Sequence, residues 1–487
     1  MLSARAVTIT QAPVRVCGEC TPIKRGRSFF NQSRANIKNE EGELTVLLIG
    51  NGRLLTRDKE GTYFENGAVV CDGGLILETG DYCTMKAKYK NADFLDARGG
   101  VIMPGLINAH SHIYSAFARG LSIRGYNPTN FYEVLDGMWW KLDRNLNVLG
   151  SRYSAYQTYM DCIRQGVTTL FDHHASYGEI EGSLFALKDA AEALGVRTVL
   201  CYEVSDRDGV EKRDAGISEN VDFIRYAQKE NTDMVKAMFG LHAAFTLSDA
   251  TLEKCVEAKP EGIGFHIHVA EGMNDVYDSL QNYGKRTANR LHDMGILGEK
   301  TIAGHCIHMS PHEMDLLKHT DTMVVNNPES NMGNAVGCSP VLQMFKKGIL
   351  LGLGTDAYTN DMLESLKVAL CIQRHNACMP NVGFNEVTGM LFEGNREIAK
   401  RLFSVPLGAL EQGAAADVVV FDYKPYTPFG NENANGHILF GMSGRQCTHT
   451  VINGRVLMKD RALICCDEEE INAKTLEVTS KLWKALT

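Results

Sequence analysis

No run of apolar residues in this 487-residue chain approaches the roughly 18 that a membrane-spanning helix needs. A basic excess is missing as well. The 50 Lys and Arg against 59 Asp and Glu leave a net charge of −9, which argues against a partner held through its phosphate backbone. No second C-x-x-C accompanies Cys17 and Cys20, and one pair alone is thin ground for a zinc or redox site. The 14 cysteines are scattered, most of them inside apolar stretches such as "TVLCYEV" and "VALCIQRH". That pattern fits reduced, buried thiols in an intracellular protein better than a disulfide framework. Low-complexity segments and internal repeats are absent beyond an alternation of strand and helix patterns. These absences leave a soluble, cytoplasmic protein that engages neither nucleic acid nor membrane.

Acids are scarce in one region. From Met1 to Lys38 the chain carries Arg5, Arg15, Lys24, Arg25, Arg27, Arg34 and Lys38 against Glu19 alone. Residues 1–42 read either as a transit peptide, which would place the protein in a mitochondrion-related organelle, or as a disordered extension. The rest has ordinary globular composition, 44% hydrophobic and 22% charged. Its length suits one large barrel domain with a smaller one, or two to three ordinary domains.

Residues 43–103 read as short strands and turns, for example "LTVLLIGNGRLLT" and "NGAVVCDGGLILETG". From 104 to 403 helical patterns and short apolar strands alternate. "SLFALKDAAEAL" places Leu184, Leu187, Ala191 and Leu194 on one face, with Ser183 as a cap and Gly195 as a stop. "VRTVLCYEV", "MVKAMFGLHA", "GIGFHIHVAE", "TIAGHCIHMS", "DTMVVNNPES" and "ILLGLGTD" read as strands, and Ser310-Pro311 as a helix start. Strands return over 404–465, and 466–487 reads as a C-terminal helix. The expected fold class is α/β: a distorted (β/α)₈ TIM barrel with a small β-sandwich domain built from both flanks.

"PGLINAHSH" follows a Pro-Gly break with His110 and His112 one residue apart. On a continuing strand both imidazoles point to the same face and can reach one cation. Catalytic residues of such barrels project from the C-terminal strand ends. Those ends hold His110 and His112, then His242, His268 with Glu271, His305 and Asp356. Two histidines from the first strand, one from a later strand and a carboxylate from the last suit a divalent metal with a position open for water, whose pKa the metal lowers. Taken singly, His268 reads as a core histidine, Asp356 as a turn residue and Glu271 as a solvated glutamate; their joint order favours the site.

The segments "PGLINAHSH", "HIHVAE", "AGHCIH", "NNPESNMGNAVG", "LGTDA" and "LGALEQGAAADVVVFD" resemble the amidohydrolase superfamily, in its cytosine-deaminase-like and triazine-hydrolase-like branch. "MWWKLDRNL" and "VTTLFDHHAS" are closer still to the SsnA group of aminohydrolases. The resemblance covers about 43 to 465. It implies that His110, His112, His268 and Asp356 hold one divalent metal, Zn²⁺ by preference with Fe²⁺ as the alternative. It implies that Glu271 moves a proton to a ring nitrogen, that Asp356 relays one to the leaving group, and that His305 polarises water or substrate. His242 matches a substrate-facing histidine, although "LHAAF" departs from the usual "PHAPY". Binuclear relatives carry a carbamylated lysine on the fourth strand; Lys236 lies at the wrong end of that strand, which favours a single metal.

Asp172, His173 and His174 could line the pocket or form a hydrogen-bonded turn. Trp139 and Trp140 could stack on a flat substrate, one of them being core, and Asn331 resembles a pocket residue of the family. Arg119 reads as a solvated helix face or an anion contact. "GLGTDA" fits a dinucleotide pattern only nominally, with no ribose-binding acid to accompany it. The implied activity is an aminohydrolase, or deaminase, acting on an aminated purine, pterin or pyrimidine, in a homo-oligomer. The alternatives are loss of another leaving group, chloride or an alkylamine, and a scaffold that has lost catalysis.

Overall fold

The computed structural model describes residues 46–486. The basic extension, with Cys17 and Cys20, lies outside the described residues. Five strands open the chain: β1 (Leu47–Leu55), β2 (Tyr63–Asp72), β3 (Leu75–Asp81), β4 (Asp93–Asp96) and β5 (Val101–Pro104). Nine short strands follow: β6 (Leu106–Ser111), β7 (Val167–Asp172), β8 (Arg197–Leu200), β9 (Val235–Ala237), β10 (Phe239–Ala243), β11 (Phe265–Val269), β12 (Ile302–His305), β13 (Met323–Asn326) and β14 (Leu351–Leu353). Four more close it: β15 (Val418–Phe421), β16 (Cys447–Ile452), β17 (Arg455–Lys459) and β18 (Ala462–Leu463), before a helix over Glu468–Leu486. Among the described residues no helix is long and apolar enough to cross a membrane, and the cysteines are free thiols.

The flanking strands make one nine-stranded sheet, β18-β17-β16-β15-β5-β1-β2-β3, with β4 paired to the first half of β1. The sheet curls on itself. Ile76 N–H donates to the Ala414 carbonyl at 2.8 Å, which brings the β3 edge back beside β15. Ile49, Leu54, Val69, Ile102, Val418 and Val420 fill the space so enclosed. β5 joins the barrel through Pro104-Gly105. A Cβ at Gly105 would sit 2.1 Å from Thr168 Oγ1, so only glycine allows β6 to enter this close to β7.

The barrel strands are parallel and buried along their length, as strands covered on both faces must be. They form two ladders, β6-β7-β8-β9 and β10-β11-β12-β13-β14. "MVKAMFGLHA", read above as one strand, is two: the chain breaks at Met238, with β9 paired to β8 and β10 to β11. Where the ladders lapse, buried side-chain amides take over. Asn220 accepts from Tyr202 N (2.9 Å) and Gly240 N (3.2 Å), tying β10 to the segment after β8. At the junction of β14 and β6, Asn395 donates to Ile107 O (2.7 Å) and Leu353 O (2.9 Å) and accepts from Leu353 N (2.8 Å).

Asn395→Ala should therefore leave one buried N–H and two buried carbonyls unpaired, lowering stability by about 2–4 kcal/mol. A denaturant midpoint equal to that of the unaltered protein would show that the junction does not depend on this amide.

Two local expectations change. Ser183 does not cap its helix; Gly182 stands at that position. The Glu219 carboxylate accepts instead from Gly182 N (2.9 Å) and Leu184 N (2.8 Å), two acceptor oxygens doing what one hydroxyl was expected to do. "SENVDFIRYAQK" is the second half of a longer helix over Val210–Glu230. Gly195 does close the helix Ser183–Leu194 in a left-handed conformation, and Ser310 caps the helix Pro311–His319 in a capping box with Glu313, Pro311 following it in the first turn.

Candidate active site

β6 ends at Ser111, but His112 continues in extended backbone (φ −122°, ψ 97°), so His110 and His112 stay on the same face. His268 comes from β11, His305 from the end of β12, and Asp356 from just beyond β14. His305 (φ 67°) and Asp356 (φ 56°) adopt left-handed backbone, which is costly for residues with a Cβ.

The histidine tautomers are set by the fold. His112 Nδ1 lies 2.6 Å from the His173 carbonyl and His268 Nδ1 2.8 Å from the His242 carbonyl. Each Nδ1 must donate to its carbonyl, so each Nε2 is free to present a lone pair inward. His112 Nε2 lies 3.3 Å from His268 Nε2 and 3.1 Å from Asp356 Oδ1. His110 Nε2 and His305 Nε2 are buried with no hydrogen-bond partner. His110, His112 and His268 offer ligand atoms within 4.8 Å of one another, as do His110, His305 and Asp356.

This arrangement favours positive charge at its centre. Burial pushes His110 and His268 well below the usual imidazole range, helped by the neighbouring imidazoles. Burial opposes a proton on His112, yet Asp356 outweighs it and lifts that imidazole to about 9. Burial likewise pushes Asp356 up, but His112, His305 and the Ser330 hydroxyl, which donates to Oδ2, hold it well below the carboxylate range. Without another cation, a proton on His112 is the charge Asp356 recruits. Three imidazoles and one carboxylate, with orphaned nitrogens among them, are a donor set that fits a divalent metal ion.

Glu271 stands apart from this set. Its Oε2 lies 3.6 Å from His305 Nε2, and His305 Nε2 is also 3.6 Å from Asp356 Oδ2. Burial first, and then the Asp356 charge, push Glu271 well above the usual range. Two carboxyls flank one histidine with their proton affinities driven apart.

A cavity of about 210 Å³ opens beside His112 and Asp356, lined further by Ser115, Arg119, Met138, Trp139 and Tyr358. Trp139 thus faces the cavity, on a π-helical turn over Leu135–Trp139, while Trp140 is buried with its ring 6.1 Å from His242. Arg119 borders the cavity and pairs with Asp161 at 3.0 Å. His242 Nδ1 lies 2.8 Å from Thr246 Oγ1. Asn331 Oδ1 meets His305 Nδ1 at 2.8 Å, and Asp172 Oδ1 accepts from Ile113 N at 2.6 Å. His173 holds His112 through its carbonyl, with its own Nε2 near the Leu241 and His266 carbonyls. His174 Nε2 lies 3.2 Å from the Ser151 hydroxyl. Lys236, at the opposite end of the barrel, pairs with Asp233 at 3.2 Å.

Four buried residues escaped the sequence reading. His266 Nε2 lies 2.8 Å from His110 Nδ1, and its signal was available: "HIH" repeats the period-two spacing of "HSH". Glu203 Oε2 lies 3.2 Å from His173 Nδ1, and Arg207 packs 3.9 Å over the Tyr177 ring while pairing with Asp143. Glu203 and Arg207 lie past the end of β8, in chain with no regular period. Ser330, next to Asn331, carried no signal of its own.

Residues 101–457 match the model of the amidohydrolase family. The chain belongs to this family. This amidohydrolase is 28% identical over 442 residues to a 5'-deoxyadenosine deaminase of Methanosarcina mazei, covering 90% of this chain and 98% of that one. It is 30% identical over 387 residues to a 5'-deoxyadenosine deaminase of Methanopyrus kandleri, covering 78% and 86%. A 5-methylthioadenosine/S-adenosylhomocysteine deaminase of Thermococcus sibiricus is 28% identical over 424 residues, covering 85% and 94%. In fold, the amidohydrolase resembles an adenosine deaminase of Xanthomonas campestris solved with bound zinc, with a TM-score of 0.80 and 20% identity over 90% of this chain and 98% of that one. An atrazine chlorohydrolase of Arthrobacter aurescens, also solved with zinc, gives 0.73 and 21% over 89% and 100%.

Proposed function

We propose that this amidohydrolase is a zinc-dependent deaminase that hydrolyses the exocyclic C–N bond of a 6-aminopurine nucleoside altered at its 5' position. The observation that carries the reading is the convergence of His110, His112 and His268 on Asp356, with Glu271 beside His305 on the same side. The names of the relatives, deaminases of 5'-deoxyadenosine and of methylthioadenosine, support the choice of substrate. The zinc in the two solved neighbours supports the metal.

His110, His112, His268 and Asp356 would hold the ion, which when bound supplies Lewis-acid activation of water. The rest falls to the chain. Burial raises the proton affinity of Glu271, which suits it to hold a proton and deliver it to the ring nitrogen next to the reacting carbon. The ring gives up its aromaticity there, and the carbon becomes open to attack by water. Asp356, held ionised, accepts one of water's protons and passes it to the amino group, which departs as ammonia, and the oxygen's remaining proton returns to Glu271. His305, whose Nδ1 donates to Asn331 Oδ1, turns the lone pair of its Nε2 to the site and polarises the attacking water by accepting from it. Trp139 and Tyr358 offer aromatic walls to a flat base.

Ammonia release from 5'-deoxyadenosine, methylthioadenosine, adenosine, cytosine and guanine, beside chloride release from atrazine, tests the reading. The expected result is ammonia from the first two well above the others. Chloride from atrazine with no ammonia from any purine would overturn it.

A further inference from the structure

At the opposite end of the barrel, where the strands begin, lies a second recess of about 180 Å³. Its walls are apolar, with Ile224, Ala227, Met238, Ile263 and Leu402 among them, and Met238 is the point at which the β9–β10 strand breaks. Its rim is cationic: Lys236, Lys300 and Arg401 border it, and Lys259 stands next to Lys300.

The charge at this rim is only partly answered. Asp233 pairs with Lys236 at 3.2 Å, and Asp321 with Arg401 at 3.0 Å. Lys259 Nζ donates to the Ile263 carbonyl at 2.7 Å and Lys300 Nζ to the Gly262 carbonyl at 3.0 Å. Among the described residues neither ammonium has a carboxylate partner. Two like charges anchored on consecutive carbonyls repel each other, and each keeps donors to spare. On a chain of net charge −9 this is a local reversal of sign.

We propose that this recess binds a small phosphomonoester, its head against Lys259 and Lys300 and its apolar body on Ile224, Met238 and Leu402. A phosphomonoester carries about −1.5 to −2 charges at pH 7, which matches two unanswered ammoniums where a single carboxylate would not. The apolar walls select a ligand with a body over inorganic phosphate.

Phenyl phosphate is the probe, titrated calorimetrically into the full chain, with inorganic phosphate and phenol as the separated head and body. One saturable site is expected, tighter than for either half and weakening with salt. The Lys259→Ala/Lys300→Ala double variant should bind roughly tenfold more weakly or worse, having lost two charge-assisted contacts. Its thermal midpoint and metal content should be unchanged. Gln228→Trp, at an exposed position on the rim, should block the recess by bulk and covers the case in which the double variant fails to fold. His112→Ala should bind phenyl phosphate as the unaltered protein does. Absence of saturable binding, binding retained in both rim variants, or binding lost in His112→Ala would overturn the proposal. Equal affinity for inorganic phosphate would overturn the role of the apolar walls.

Discussion

Replacing Glu271 by glutamine is expected to leave the metal in place and slow ammonia release by roughly 10² to 10⁴-fold, the usual worth of a positioned acid–base group. Glutamine keeps the shape of the side chain and most of its packing, but it cannot pick up and deliver a proton. Aminated rings are poor electrophiles until a ring nitrogen is protonated, so the whole step waits on this transfer. Because Glu271 is 3.6 Å from His305 and separate from the ligand set, its loss should fall on kcat rather than on metal content or on binding of an unreactive substrate analogue. His305→Ala should also be slow, through loss of the Nε2 lone pair that polarises the attacking water. Steady-state kinetics on whichever purine releases ammonia, with elemental analysis of the same sample, checks both halves. Turnover of Glu271→Gln at the rate of the unaltered protein would remove Glu271 from the proton path.

The second large effect concerns the histidines proposed to hold the metal. His110→Ala and His112→Ala should each bring metal content from near one equivalent per chain to trace levels after dialysis. Each substitution removes one of three imidazoles whose lone pairs the backbone carbonyls and neighbours aim inward, and His112→Ala also leaves Asp356 without its nearest partner. Lys236→Ala should keep its metal, because that side chain belongs to the far end of the barrel. Full occupancy in both histidine variants would sink the assigned ligand set.

The positions that converge in the candidate site were legible in the sequence because they obey a strict local rule. His110 and His112 share a face through strand periodicity, and His268 and His305 lie near the ends of short apolar strands, with Asp356 just beyond another. The same rule applied to "HIH" would have found His266, whose ring lies against His110. What stayed hidden was set by packing between distant segments. Glu203, Arg207 and Asp143 meet only after β8 and the 140–144 helix are brought together, and no spacing along the chain announces it. The break at Met238 was hidden for a related reason: an apolar run does not show which of its residues pairs with which neighbour. The cap on Ser183's helix came from Glu219, 35 residues and more away in sequence from the amides it serves.

The lapse between β14 and β6 would give the proposed cation a mechanical part to play. His110 and His112 stand on one side of that gap and Asp356 on the other, and it is spanned by hydrogen bonds of Asn395, by those of the Asn108 side chain to Thr355 and by an isolated bridge between Ser111 and Asp356. An ion gripped from both sides would act as a clasp on the circumference of the barrel, joining its first strand to its last. Chelation should then speed amide hydrogen exchange in residues 106–112 and 351–356 ahead of the other strands. Uniform exchange around the ring after chelation would show that the gap holds without it. On this reading, a chain that has lost its metal is also a barrel unfastened at one place, and its first and last strands are where proteases and misfolding would find it.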